Sequence, residues 1–297
     1  EKVADKLVDA AVSNKSDTVE ITVKSNDGNK AEQTEIEIPK KALESIAKDT
    51  NADLVIKTDN GQVILDNRTL ETIAAEAEGD TVRLVVNENT QLKEEQKSVL
   101  DIIGDRGHIF DLAAIIGDKH IHDFRGGKAH VTLPVPEKLK GKDIVIIYIS
   151  DKGICEILNH TMETVGAEKY IKFTTSHFST FAVVEKADAE KLIEQQNAEK
   201  INSLIKEAKL KATTSKTAKK SVKVKIREAK NNNSLIKEAK AMGYTVKYKF
   251  YRSINKASKY KAVKTKDTDT YINSTGKKGT KYYYKAKVML YDGKKLV

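Results

Sequence analysis

The chain has 297 residues, 39% of them hydrophobic and 32% charged, with a formal net charge of +10. That composition excludes a chain too polar to fold, and the single cysteine, Cys155, excludes an intrachain disulfide scaffold. The longest purely apolar run, Ile144 to Ile149, falls far short of the roughly 20 residues of a membrane-spanning helix. The charge is divided by position: residues 1–190 carry 24 Lys+Arg against 35 Asp+Glu, a net of −11, whereas residues 191–297 carry 29 against 8, a net of +21. Tyrosine divides the same way, with Tyr148 and Tyr170 upstream and nine from Tyr244 onward. Two unlike bodies joined near residue 190 are expected, made for contact and display rather than catalysis.

In chain order, the opening EKVADKLVDAAV has no basic start followed by an apolar core and is not expected to be a signal peptide, while the abrupt end at KKLV is expected of a fragment. Val19, Ile21 and Val23 alternate with polar residues, as do Ile36 and Ile38, which predicts half-buried strands. The segment IEIPKKALESIA (36–47) repeats as VILDNRTLETIA (63–74) at an offset of 27, with Asp53 aligned on Asp80, so each copy reads strand, helix, strand. Pro39 suits the first helical position, where its missing N–H would be unpaired anyway, and Asp66 or Asn67 suits the cap of the second helix. Asp59-Asn60-Gly61 predicts a tight hairpin that makes the two inner strands antiparallel neighbours. Residues 1–90 are therefore expected to form an α+β repeat domain.

From Gln91 a short polar helix (QLKEEQKSVL) precedes predicted strands at 108–116, 119–124, 129–135, 144–150, 170–175 and 178–184, with turns at Gly117-Asp118, Arg125-Gly126-Gly127 and Asp151-Lys152-Gly153. This is a β-sandwich pattern over residues 91–185, either separate or packed with 1–90 as one unit. Residues 186–210 lack glycine and proline and carry a narrow apolar stripe at Ile193, Ile201, Leu204, Ile205 and Ala208, which predicts a helical linker. The octapeptide NSLIKEAK occurs at 202–209 and again at 233–240. In the last part, Val222, Val224 and Ile226, then Val246, Tyr248 and Phe250, then Tyr282, Tyr284, Ala286, Val288 and Leu290 alternate largely with lysines, which predicts strands at these three stretches of residues 211–297, with outer lysines that also protect sheet edges. The fold class expected is mainly β with an α+β N-terminal part.

The stretches KKSVKVKI, TVKYKFYRS, ASKYKAVKTK and KKGTKYYYKAKVMLYDGKK resemble the lysine-rich fibronectin type III-like domains of secreted and surface proteins of gut Firmicutes, over residues 211–297. The pattern departs from the family in a long insert at 231–242 and in a chain end where a last strand should follow. LKEEQKSVL and GDRGHIFDLAAIIGDKHIHDFRGGKAHVTLPVP, closed by KFTTSHFSTFAVV, are similar to modules beside surface-layer homology repeats and in bacterial cell-wall proteins; IPKKALESIA looks like the segment preceding them. These resemblances imply non-catalytic, β-rich display units.

Four histidines, His108, His120, His122 and His130, fall in a short window, and imidazoles two apart on a strand, as His120 and His122 are, can bind one ion. No Cys, Asp or Glu completes a recognised ligand spacing, so no metal and no cofactor is expected; His177 in TTSHFS belongs to the family pattern at the start of a strand. Asp101 with Asp105, or Asp111 with Asp123, can be written as acid and base, but sequence spacing does not set the carboxylate separations that glycosidases need. Neither a nucleophile elbow, a zinc-protease helix, a P-loop nor a dinucleotide fingerprint occurs, and Cys155 has no evident histidine partner, so no catalytic residue and no enzyme is expected. Lys–Asn cross-links, as in some Gram-positive adhesins, would lower the mass by about 17 Da.

The functional-looking surface is the basic, tyrosine-rich last part, with Tyr248, Tyr251, Arg252, Tyr260, Tyr283 and Lys285 as candidate binding residues, set against the simpler reading that alternate lysines only solvate strands. The chain is expected to be extracellular, at the cell surface or in the cell wall, and to act in adhesion, wall association or spacing. Its expected partners are an anionic wall polymer, a glycan or a host surface protein, not nucleic acid. The alternative is an accessory or carbohydrate-binding region of a secreted polysaccharide- or peptide-degrading enzyme, which the absence of tryptophan weakens.

Overall fold

The structure, a computed structural model, describes residues 17–24, 33–88, 92–117, 119–208, 210–217, 221–228 and 235–297. The EKVADKLVDAAV segment, Gln91, Asp118, Lys209 and the start of the second octapeptide lie outside the described residues. The protein is a β-rich, mixed α/β chain with several sheets, divided into two compact units at residues 194/195.

In the first unit a six-stranded sheet runs in the order β1 (Thr18–Thr22), β3 (Asp53–Thr58), β4 (Gly61–Leu65), β8 (Ala129–Pro134), β12 (Glu168–Thr175), β11 (His160–Val165). A seven-stranded sheet runs β10 (Cys155–Ile157), β9 (Ile144–Ile149), β13 (Thr180–Glu185), β6 (His108–Ile116), β5 (Thr81–Glu88), β2 (Gln33–Pro39), with β7 (Lys119–Ile121) beside β6. Strands from both sides of residue 90 are hydrogen-bonded in each sheet, β4 to β8 and β5 to β6, so neither sheet divides there.

The repeat explains the interleaving. Copy one is β2, α1 (Lys40–Asp49), β3, and copy two is β4, α2 (Asn67–Glu76), β5. β2 pairs antiparallel with β5 and β3 with β4, so each copy gives its first strand to one sheet and its second to the other, and the copies exchange strands. The cross pairs Ile36↔Leu84 and Val63↔Ile56 correspond at an offset of 27 in the first strands and 28 in the second. The alignment of Asp53 on Asp80 is thus out by one: the loop after α2 is a residue longer than that after α1, and the extra residue returns Val82 and Leu84 to the inward face held by Leu54 and Ile56.

Local chemistry sets the helix ends. Asp66 caps α2, its two oxygens accepting from the N–H groups of Thr69 (2.8 Å) and Lys128 (2.9 Å). Pro39 sits one residue earlier than expected, at the cap of α1, and the Lys40 N–H donates to the Asp80 carbonyl at 2.8 Å. Asn67 Nδ2 donates to the carbonyls of Ala47 and Thr50, both at 3.1 Å, so the start of one helix satisfies the end of the other. At the hairpin, Gly61 has φ +136°, and a Cβ there would lie 2.4 Å from the Thr132 carbonyl oxygen, a site only glycine fits.

Alternate residues of both sheets and the inner faces of α1 and α2 share one core, including Leu43, Leu65, Leu70, Phe110, Leu133 and Phe181. A second core lies on the other face of the seven-stranded sheet, where Ile109, Ile147, Ile149 and Val184 pack with Val99 and Ile103 of α3 (Lys97–Ile103) and with Ala189 and Leu192 of α4 (Lys186–Glu207). The unbroken run IVIIYI of β9 follows from this, because a strand covered on both faces needs no polar side. In the first unit two strands escape the sequence reading: β10 has only three residues, and β11 (HTMETV) is exposed at nearly every position and held by its backbone pairing to β12.

In the second unit β14 (Leu210–Lys216), β15 (Val222–Glu228) and β18 (Thr270–Asn273) form one sheet, and β17 (Lys261–Lys266), β16 (Thr245–Ser253), β19 (Tyr283–Asp292) and β20 (Lys295–Leu296) another. Their core holds Val224, Ile226, Val246, Tyr248, Phe250 and Leu290. The expected helical linker is α4, yet its side chains enter cores: Leu192 rather than Ile193 is buried in the first unit, and Ile201 in the second, while Ile205 is exposed. The first octapeptide copy is helical in α4 as far as Glu207 and the described part of the second is helical in α5 (Leu235–Ala241), and the equivalent pairs Leu204/Leu235 and Ala208/Ala239 pack into the same core. The last strand, β20, is two residues long.

Candidate basic and aromatic face

The alternation of TVKYKFYRS decides what the four-stranded sheet presents. Val246, Tyr248 and Phe250 of β16 are buried, so Lys247, Lys249 and Tyr251 point outward. Register places Met289, Lys287 and Lys285 of β19 beside them, with Tyr291 opposite Thr245 at one end, Tyr283 opposite Ser253 at the other, and Thr265 of β17 beside Lys249. None of these outward positions is a carboxylate. Neighbouring positions form a grid of about 4.8 Å between strands and about 6.8 Å along them.

The lysines lie over tyrosine rings: Lys285 Nζ is 4.4 Å from the Tyr260 ring centre, Lys281 5.5 Å from Tyr283, Lys247 5.8 Å from Tyr291 and Lys249 5.8 Å from Tyr251. At exposed sites each such interaction is worth about 0.5–1 kcal/mol, enough to hold an ammonium in place without neutralising it. The face therefore offers ordered positive charge and flat aromatic surface together.

Of the six candidate residues, Tyr251, Tyr260, Tyr283 and Lys285 lie on this face and two are removed from it. Tyr248 is only 4% exposed and its ring is core, as its shared parity with Val246 and Phe250 already signalled. Arg252 has the inward parity at the end of the strand, where its Nη1 donates to Asn273 Oδ1 (2.9 Å) and Thr275 Oγ1 (3.1 Å) and its guanidinium lies 4.6 Å from the Tyr282 ring centre. Asn273, 3% exposed, in turn donates to the Tyr284 hydroxyl at 2.6 Å, and burial raises that phenol above its usual range. Arg252 thus organises a half-buried network around the buried Asn273. Lys247, Lys249 and Lys287 belong to the face and were legible only as members of the alternation, and Tyr291 joins them through its register opposite Thr245.

The histidines disperse. His120 and His122 stack, with ring centres 5.9 Å apart, and no group of three His, Cys, Asp or Glu among the described residues is placed to hold a metal ion. His108 is buried beside Phe110 and against the Glu88 carboxylate, and His130 Nδ1 lies 3.0 Å from Thr174 Oγ1. His177 lines an open pocket of 600 Å³ with His122, Asp123, Tyr148 and Ser179; burial holds its imidazole below the usual pKa, with the ring edge-on to Tyr148 at 4.7 Å. Of the candidate carboxylate pairs, Asp111 and Asp123 have structural partners: Asp123 accepts from the Arg125 N–H at 2.7 Å, and Asp111 accepts from the Thr180 hydroxyl at 3.2 Å. Cys155 is buried in the second core, its thiol 3.6 Å from the Gly153 carbonyl.

No family model matches this sequence, and no curated protein matches it closely enough to carry an argument.

Proposed function

We propose that the chain is a non-catalytic, extracellular part of a bacterial cell-surface or wall-associated protein, and that its second unit holds an anionic wall polymer on the outer face of β16 and β19. The observation that carries this reading is the lysine–tyrosine grid with no carboxylate among its outward positions. A phosphate-bearing chain laid across it exchanges its counterions for fixed ammonium groups, and its sugar or glycerol units rest on tyrosine. Two further observations support the wider reading. The second unit pairs its first, second and fifth strands in one sheet and its fourth, third, sixth and seventh in the other, in keeping with the resemblance to fibronectin type III-like domains. In the first unit the TTSHFSTFAVV stretch forms the end of β12 and most of β13 at the centre of the core, a structural use of residues that carry the resemblance to display modules.

The test is retention of the full chain on immobilised poly(glycerol phosphate) across a salt series. Binding is expected to weaken linearly on a log–log plot, with the slope falling by about 0.7–0.9 for each ammonium–phosphate pair removed by Lys249→Ala, Lys285→Ala and Lys287→Ala. Retention indifferent to salt, or unchanged in the triple variant, overturns the reading.

A further inference from the structure

A second surface, in the first unit, has the opposite electrostatic character. A groove of 680 Å³ crosses the outward face of the six-stranded sheet, and one of 350 Å³ adjoins it through shared Gln62 and Thr132, both within the roughly 300–1,000 Å³ of ordinary ligand sites. Register builds the floor in rows. Ile64, His130 and Thr174 stand side by side on β4, β8 and β12; Gln62, Thr132, Lys172 and Thr161 form the next row, extending to β11; Pro134, Tyr170 and Glu163 form the third. The intervening residues Val63, Val131, Leu133, Ile171 and Phe173 are core, which fixes these rows on the opposite face. The connection from β10 to β11, tied down by the Leu158 N–H to the Ile146 carbonyl at 3.0 Å, supplies a wall with Leu158 and Asn159.

The cations of this groove are already paired. Lys172 is 2.5 Å from Glu163, and Lys57 is 2.6 Å from Glu20, whose carboxyl that lysine holds below the usual range. No other lysine or arginine is among the described lining residues, and Glu156 and Asp59 add negative charge, so a polyanion finds no counter-charge here. The groove also offers a ligand the amides of Gln62 and Asn159, the hydroxyls of Thr132, Thr161 and Tyr170, the imidazoles of His130 and His160, and the apolar flanks of Ile64 and Leu158. Amides and hydroxyls donate and accept at once, which matches a ligand whose own groups do both, and burying uncharged hydroxyls against them carries no ionic desolvation cost.

We propose that this groove binds an uncharged polyhydroxylated polymer, a neutral glycan chain lying across β4, β8 and β12. The site is independent of the lysine–tyrosine face, and salt separates the two. The full chain is titrated calorimetrically with a soluble β-glucan, a mannan, a galactomannan and a starch at about 0.1 M and about 0.5 M NaCl, the latter reducing the Debye length to roughly 4 Å. Binding to at least one neutral polymer is expected, unchanged by salt and by Lys285→Ala, and weakened about tenfold by Gln62→Ala combined with Thr132→Ala, which together remove two hydrogen bonds. Asn159→Ala, outside the strands, provides a second variant, and thermal unfolding reports whether each variant is folded. Silence towards all four polymers, binding abolished at high salt, or binding undiminished in the folded variants overturns the proposal, whatever the result with poly(glycerol phosphate).

Discussion

The two units build sheets from the same alternation of side chains and finish with different surfaces. The first buries the β9–β13 part of one sheet on both faces, which lets those strands run almost wholly apolar, while the outward side of the other sheet is polar and carries opposite charges in pairs. The second has one core between two sheets, so each core strand must be polar on its outer side, and that side is filled with lysine and tyrosine. Burial on both faces removes the requirement for alternation; burial on one face imposes it and hands the other face to ligands or solvent.

The largest effects expected are those that empty a core. Phe181→Ala in the first unit and Phe250→Ala in the second, both fully buried, are each expected to cost about 3–5 kcal/mol. Nine of the eleven tyrosines lie in the second unit and tryptophan is absent, so tyrosine fluorescence reports mainly on that unit during denaturant unfolding. Phe250→Ala is expected to move that signal more than Phe181→Ala does; equal shifts from both would show the units unfolding as one and break the comparison.

Gly127→Ala comes next. A Cβ at Gly127 would lie 2.6 Å from the Thr69 nitrogen and 2.8 Å from its Cα, backbone that opens α2 and does not yield as a side chain would. A loss of about 1–3 kcal/mol is expected in the first unit alone, measured by the same unfolding curves.

The smallest effects are pH-dependent and sharpen the contrast between buried and exposed charge. Burial raises the Asp111 carboxyl, with the Thr180 hydroxyl opposing the shift, so at neutral pH the folded state carries an ionised group it disfavours. Asp111→Asn, which keeps an acceptor for Thr180, is expected to be more stable than the parent at pH 7. Its advantage shrinks as the pH falls through the raised folded value and vanishes below the unfolded value near about 3.9. Burial acts on His177 in the other direction and lowers its pKa, so its contribution to stability is present above the unfolded value near about 6.5 and is lost as the pH falls below it. His177→Phe is expected to flatten that part of the stability profile in thermal melts between pH 5 and 7; an unchanged profile would place the acid sensitivity elsewhere.

Much of this architecture was legible in the chain. The strands at Ile36 and Ile38, the Asp59-Asn60-Gly61 hairpin and the Asp66 cap all follow from short-range chemistry, since period, turn geometry and capping involve residues within a few positions of one another. The lysine–tyrosine face was partly legible for the same reason, and Tyr248 was misplaced only because its aromatic character outweighed its parity. β11 left no apolar pattern because an exposed edge strand needs only backbone partners. The parallel pairing of β1 with β3 and the groove across β4, β8 and β12 were hidden for a further reason: their neighbours come from distant parts of the chain.

The sequence by itself determined the type and approximate place of most elements of the first unit, the alternation within strands such as β2 and β16, and that charge is segregated between two bodies. Only the tertiary structure decided that the repeat copies exchange strands between two sheets, that the second copy needs a one-residue shift to keep Val82 and Leu84 inward, and which polar side chains share a row. Side-chain alternation is a property of one strand, whereas register and sheet order are settled by the packing of strands far apart in sequence, where every apolar face must be covered at once.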